Sequence, residues 1–165
     1  MENLLIDILA GLKQEKEIYK ELTVLSADKT DIIIEKRIKD LEDLVDREEN
    51  LILSIGKLES ERERLMEGLG KKKGLNAASI TLTNLIDWAC GDMKEEFKNL
   101  QYEFGTIFDR QKHLNEVNSK LIKVNLEYID LALLLMTGEG TSGKLYEKRG
   151  QLSKGSQSIN LFDKQ

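Results

Sequence analysis

The sequence predicts an all-α protein: an elongated antiparallel helical bundle with coiled-coil-like packing, followed by a flexible C-terminal tail. Three observations carry this. The 165 residues contain no proline, where average usage of about 5% would give roughly eight, so long segments run without the residue that punctuates turns and strand edges. Apolar residues recur every three or four positions over most of the chain, the helical period. Charged residues make up 33% and aromatic residues only 5%, a composition suited to amphipathic helices and poor in the rings that fill most enzyme cores.

The first helix is expected over about 2–27. Met1, Leu5, Ile8, Leu12, Glu15, Tyr19, Leu22 and Ser26 alternate in steps of four and three, which places them on one face. The pattern halts in Ser26-Ala27-Asp28-Lys29-Thr30-Asp31, where Asp28 or Thr30 suits the cap of a second helix. That second helix, about 30–69, repeats the stripe through Ile34, Ile38, Leu41, Val45, Ile52 and Ile55, with Glu48 and Arg62 read as solvated residues at the edge of a wide seam. Gly68 and Gly70 are expected to end it, and Lys71-Lys72-Lys73-Gly74 to form a basic turn whose charge complements the helix dipole.

A short helix over about 79–90 follows from Ile80, Leu82, Leu85, Ile86, Trp88 and Ala89, with Trp88 and Cys90 packed inside. The last helix, about 92–137, starts where Asp92 and Glu95 have capping-box spacing. Its stripe runs from Phe97 through Leu100, Phe104, Ile107, Gln111, Leu114, Val117, Leu121, Val124, Tyr128 and Leu131 to Leu135. Its mean spacing is about 3.45, close to the 3.5 of a coiled coil. From Phe97 to Leu114 the stripe is expected to be consumed by packing within the bundle, whereas the stretch beyond divides between packing and a partner.

The domain division is therefore a helical bundle, 1–137, and a partner-binding tail, 138–165. Five of the twelve glycines fall in the tail, together with Ser142, Ser153, Ser156 and Ser158, a composition that does not sustain a helix. The tail carries five Lys/Arg against three acidic residues, +2, which leaves −7 on the body of a chain whose net charge is −5. It is not inert, because Leu145, Tyr146, Leu152, Ile159, Leu161 and Phe162 are spaced among its polar residues, the pattern of a segment that orders on a partner.

Several function classes are disfavoured. The acidic balance repels phosphate backbones, so nucleic acid is not an expected partner. One cysteine and one histidine, Cys90 and His113, supply neither a disulfide nor a histidine-rich metal centre. Gly140-Thr141-Ser142-Gly143-Lys144 lacks the spacing of a phosphate-binding loop, and adjacent carboxylates such as Glu95 and Glu96 point apart on a helix. No enzyme, metal or cofactor is expected. The opening MENLLIDILAGL is acidic, unlike a secretory leader. The longest apolar run, 131–136, is far short of the roughly 20 residues of a spanning helix, so stable membrane insertion is not expected.

Within the last helix, Asn118-Ser119-Lys120-Leu121-Ile122 is followed by Tyr128-Ile129 and, in the tail, by Tyr146 and Gly150. With the helix order, this resembles the FlgN family of bacterial flagellar export chaperones, in which an Asn-x-x-Leu-Leu/Ile segment of the last helix is paired with a Tyr-x-x-x-Gly-like element in the tail. The tail end, Asn160 to Gln165, is less basic than in many members.

The resemblance implies a cytoplasmic chaperone for the hook-filament junction subunits FlgK and FlgL. It would keep them from aggregating and deliver them to the export apparatus, both the export gate and components of the ATPase complex. Asn118, Leu121, Ile122, Val124, Tyr128, Leu131 and Leu135, with Leu152, Ile159, Leu161 and Phe162 of the tail, would bind clients. Leu145, Tyr146 and Gly150 would dock on the export gate. Two rival classes fit the residues alone: a coiled-coil oligomerisation module, in which case a homo-oligomer forms, and a nonflagellar secretion chaperone or membrane-surface bundle that uses Lys71–Lys73.

Overall fold

The computed structural model describes residues 1–137, in the order α1 (Glu2–Ile34), α2 (Ile38–Lys73), a 3₁₀ turn (Ala77–Ser79), α3 (Leu82–Trp88) and α4 (Gly91–Thr137). All regular elements among the described residues are helical. α1 is the central rod. It packs antiparallel to α2, as the Glu15–Arg62 and Lys29–Glu48 pairs show, and parallel to α4, as Lys16–Glu103 and Thr30–Asn118 show.

The first interhelix turn lies further along the chain than the sequence suggests. α1 continues through Ser26-Ala27-Asp28-Lys29-Thr30-Asp31 and ends at Ile34. Ser26 and Thr30 read as breakers, but Ser26 is fully buried and Thr30 bonds across to α4. Their polar atoms are therefore spent within the bundle, not on a cap. The turn itself is a Schellman arrangement: Arg37 N–H donates to Ile32 O at 3.1 Å and Lys36 N–H to Ile33 O at 3.2 Å, with Lys36 left-handed at φ 57°. A lysine in the position that glycine usually takes is the reason that no sequence signal marked it.

α2 also runs further, to Lys73, so the three lysines form its last turn, where they face the helix dipole's negative end. Gly70 lies inside the helix because the chain folds back over it: a Cβ there would sit 2.7 Å from Leu75 O. The terminating residue is Gly74, left-handed at φ 67°. The expected short helix is split into the 3₁₀ turn and α3, and the capping box is formed by Thr81 and Asn84. Asp92 falls within the first turn of α4, not at its cap. Cys90 is exposed, contrary to expectation, and Trp88 is half-buried beneath the Lys73 ammonium, 4.8 Å from the ring centroid.

The core is concentrated at one end. Leu5, Ile8, Leu9 and Leu12 of α1 meet Met66 and Leu69 of α2, Leu82, Leu85 and Ile86 of α3, and Phe97, Leu100 and Phe104 of α4. Four helices converge there, and Phe97 and Phe104 are wholly buried. Tyr19, Phe104 and Phe108 extend this core by edge-on and stacked ring contacts at 5.0–6.1 Å. A second, smaller cluster, Leu25, Ile32 and Leu44, lies toward the α1–α2 turn.

Candidate functional site

Two polar layers cross the bundle, one beside the larger core and one within the smaller cluster. In the first, Glu15 and Arg62 are both buried and pair at 3.3 Å, while Glu15 Oε1 has no hydrogen-bond partner. Burial pushes the Glu15 carboxyl up to about 7; the Arg62 guanidinium offsets this only in part, and Glu59 adds a smaller repulsion. Burial, then the nearby Glu59 and Glu15, pushes the Tyr19 phenol up to about 12. In the second, Glu48 of α2 takes an ion pair from Lys29 and a long hydrogen bond from Ser26 of α1, 3.4 Å. Gln111 of α4 donates to Ser26 Oγ at 2.7 Å. Glu48 and Arg62 are thus buried partners of α1 and not the solvated edge residues that the stripe suggested.

Asn118 completes the second layer. It is buried, its amide donates to Ser26 O at 2.8 Å, and its Oδ1 accepts from Thr30 at 2.7 Å. The side chain pins α4 to α1 and has no face toward a client. Leu121 and Ile122, one turn on, are half-buried.

Beyond this point α4 outruns its partners. At about 1.5 Å per residue, its 47 residues reach about 70 Å against about 50 Å for the 33 of α1. Because the two helices run parallel with Thr30 beside Asn118 and Lys36 beside Tyr128, the last two to three turns of α4 extend past the α1–α2 turn. Val124, Tyr128, Leu131 and Leu135, spaced four, three and four, are exposed by 61%, 65%, 54% and 78%. Leu134 and Met136 add apolar surface beside them. Four exposed apolar positions on one face exceed the scattered hydrophobics of an ordinary surface. The Lys36 ammonium lies over the Tyr128 ring, 5.3 Å from its centroid.

At the foot of the overhang is an apolar cleft of about 510 Å³ between Ile38 and Leu41 of α2 and Ile122, Leu126 and Ile129 of α4, floored by Ile33. Local sequence does not mark this cleft, since a second helix over about 30–69 carries Ile38 in its interior, whereas α2 starts at Ile38. Leu145, Tyr146, Gly150, Leu152, Ile159, Leu161 and Phe162 lie outside the described residues. Among the described residues no three His, Cys, Asp or Glu side chains gather as a metal site, and no helix is long and apolar enough to cross a membrane.

A sequence model described as FlgN protein matches residues 1–154 of the chain. The chain belongs to the FlgN family. That places it among the flagellar export chaperones, which bind flagellar substrate proteins and are not enzymes. This FlgN-family chain is also similar to the Uncharacterized protein YvyG of Bacillus subtilis (strain 168), 25% identical over 158 residues that cover 94% of this chain and 95% of the relative. No solved structure matches it. The apolar overhang is the part of this FlgN-family fold not explained by its own packing.

Proposed function

We propose that the protein holds the hook-filament junction subunits FlgK and FlgL in the cytoplasm before export, through the overhanging face of α4. Membership of the FlgN family supports a chaperone role in flagellar export. The observation that supports this binding surface is the apolar stripe Val124, Tyr128, Leu131 and Leu135, left largely exposed by the described part of the chain. An amphipathic segment at a subunit's end, helical in the filament and exposed before assembly, is the kind of partner that such a stripe sequesters. Covering it removes apolar surface from water on both sides, at about 25 cal/mol per Å² before the costs of association.

Leu121 and Ile122 extend the client surface toward the bundle, and Leu152, Ile159, Leu161 and Phe162 extend it into the tail. Asn118 is left out of this surface, because its hydrogen bonds are filled by Ser26 and Thr30. Leu145, Tyr146 and Gly150 are assigned to docking on the export gate. A client held on α4 leaves those residues free to engage the export apparatus, including components of the ATPase complex. The test is co-purification of the full-length chain with FlgK or FlgL shortened at the C-terminus. Capture is expected of the intact subunits and not of the shortened ones; capture that survives shortening contradicts the helix-capture mechanism.

A further inference from the structure

The cleft at the foot of the overhang and the exposed α4 face are adjacent but differ. The face is an exposed helix surface that shares Tyr128 with the cleft, and it suits a long helix. The cleft is concave, within the roughly 300–1,000 Å³ of pockets that enclose a few side chains, and has walls from two helices: Ile38 and Leu41 on α2, Ile122, Leu126 and Ile129 on α4. Ile38 and Ile129 are 64% and 51% exposed there, so the cleft is unfilled by the described part of the chain. Lys36 stands on its rim, its ammonium over the Tyr128 ring.

We propose that the segment Ile159-Asn160-Leu161-Phe162 of the same chain docks in this cleft when no client is held, and that a client displaces it. The docking stands on the cleft and the tail sequence; the displacement rests on the client-binding reading above. Reach favours an internal occupant. The described helix ends at Thr137, about 12 Å along α4 from Ile129. The 21 residues from 138 to 158 include five glycines and four serines, and a chain of that length and composition spans about 25 Å root-mean-square. The tether therefore holds the segment near the cleft at an effective concentration on the order of millimolar.

Charge selects this segment over the other apolar one. Leu145-Tyr146 is flanked by Lys144, Glu147, Lys148 and Arg149, a net +2 that the Lys36 ammonium on the rim repels, Arg37 there being paired with Glu35 and Asp40. Ile159–Phe162 is preceded by the uncharged Ser156-Gln157-Ser158 and followed by Asp163 and Lys164, a flank of no net charge whose nearest charge, the Asp163 carboxylate, suits the Lys36 ammonium. Three apolar side chains in four residues also match a short cleft better than a long stripe. In the client-free protein the arrangement covers the apolar cleft and leaves Leu145, Tyr146 and Gly150 undocked.

The test uses the full chain carrying Cys90→Ser, an exposed position, with a nitroxide on Asn160→Cys. Methyl signals of Ile38, Leu126 and Ile129 are expected to broaden, and to stay broadened when the labelled chain is diluted tenfold with unlabelled chain. Adding Leu161→Ser and Phe162→Ser is expected to abolish the broadening, and so is saturating the labelled chain, without those substitutions, with a FlgK C-terminal segment, as displacement by a competitor does. Unbroadened methyls, or broadening confined to methyls elsewhere, overturn the docking, and broadening that disappears on dilution assigns the cleft to a second copy instead. Broadening that persists at a saturating concentration of the bound client segment overturns the displacement. Retained broadening in a chain that does not bind the client segment at all upholds the docking and contradicts the client-binding reading instead.

Discussion

The two ends of this molecule are built from the same residue types to opposite effect. At one end Leu5 to Leu12, Leu69, Leu85 and Phe97 close a four-helix core; at the other, Val124, Tyr128, Leu131 and Leu135 recur at helical spacing and stay more than half exposed among the described residues. An apolar stripe is thus a structural element where neighbouring helices are long enough to cover it and a binding surface where they are not. The boundary is the hydrogen-bonded layer at Ser26, Thr30, Gln111 and Asn118, the last place where α1 grips α4 by named polar contacts.

This contrast fails first if core substitutions are tolerated. Phe97→Ala removes a wholly buried ring from the closed end and is expected to destabilise by about 3–5 kcal/mol, against less than about 0.5 kcal/mol for Leu135→Ala at the open end. Denaturant melts of the two variants check it, and comparable losses would erase the distinction.

The buried pair beside the larger core gives the next largest effect, and it depends on pH. Glu15 titrates near 7 in the folded chain against an ordinary 4.5. Between these values the folded state holds a proton that the unfolded state has released, so Glu15 costs stability progressively as pH rises from 4.5 to 7. Above 7 the cost is on the order of 3 kcal/mol. Arg62→Met removes the one cation that offsets it. We expect a destabilisation of about 3 kcal/mol at pH 8 that shrinks below about 1 kcal/mol at pH 4.5, where the carboxyl is neutral. Equal losses at both pH values in chemical unfolding would mean that the pair acts by packing alone.

Asn118→Ala should cost about 1–2 kcal/mol, through lost hydrogen bonds to Ser26 and Thr30. Because Asn118 faces α1, client affinity measured under fully folded conditions should stay within about twofold. A larger binding loss would move the boundary of the client surface inward. The smallest expected change is a gain: Lys36→Gly relieves a left-handed lysine and should stabilise by about 0.5–1 kcal/mol, read as a small rise in melting temperature.

The helical class and the apolar spacing along α4 were legible because each depends on local periodicity. The placement of the first turn was not. Ser26 to Asp31 has the composition of a cap, and only contacts with Glu48, Gln111 and Asn118, up to 92 residues away, show that it faces inward. Glu48 and Arg62 were misread for the same reason, since pairing with Lys29 and Glu15 crosses helices. Of the site, the spacing from Val124 to Leu135 marked an apolar face; that it overhangs follows from comparing helix lengths and their register, which no window along the chain contains. Asn118 was assigned to clients by family resemblance, while its geometry gives it to the bundle.

The most direct test of the overhang's role is a calorimetric titration of a FlgK C-terminal segment into the chain carrying Leu131→Asp and Leu135→Asp, with both proteins shown to melt at the same temperature. The account predicts at least a tenfold loss of affinity relative to the unsubstituted chain, because both residues lie on the uncovered face. Unchanged affinity would contradict it and return the end of α4 to the status of an unused extension.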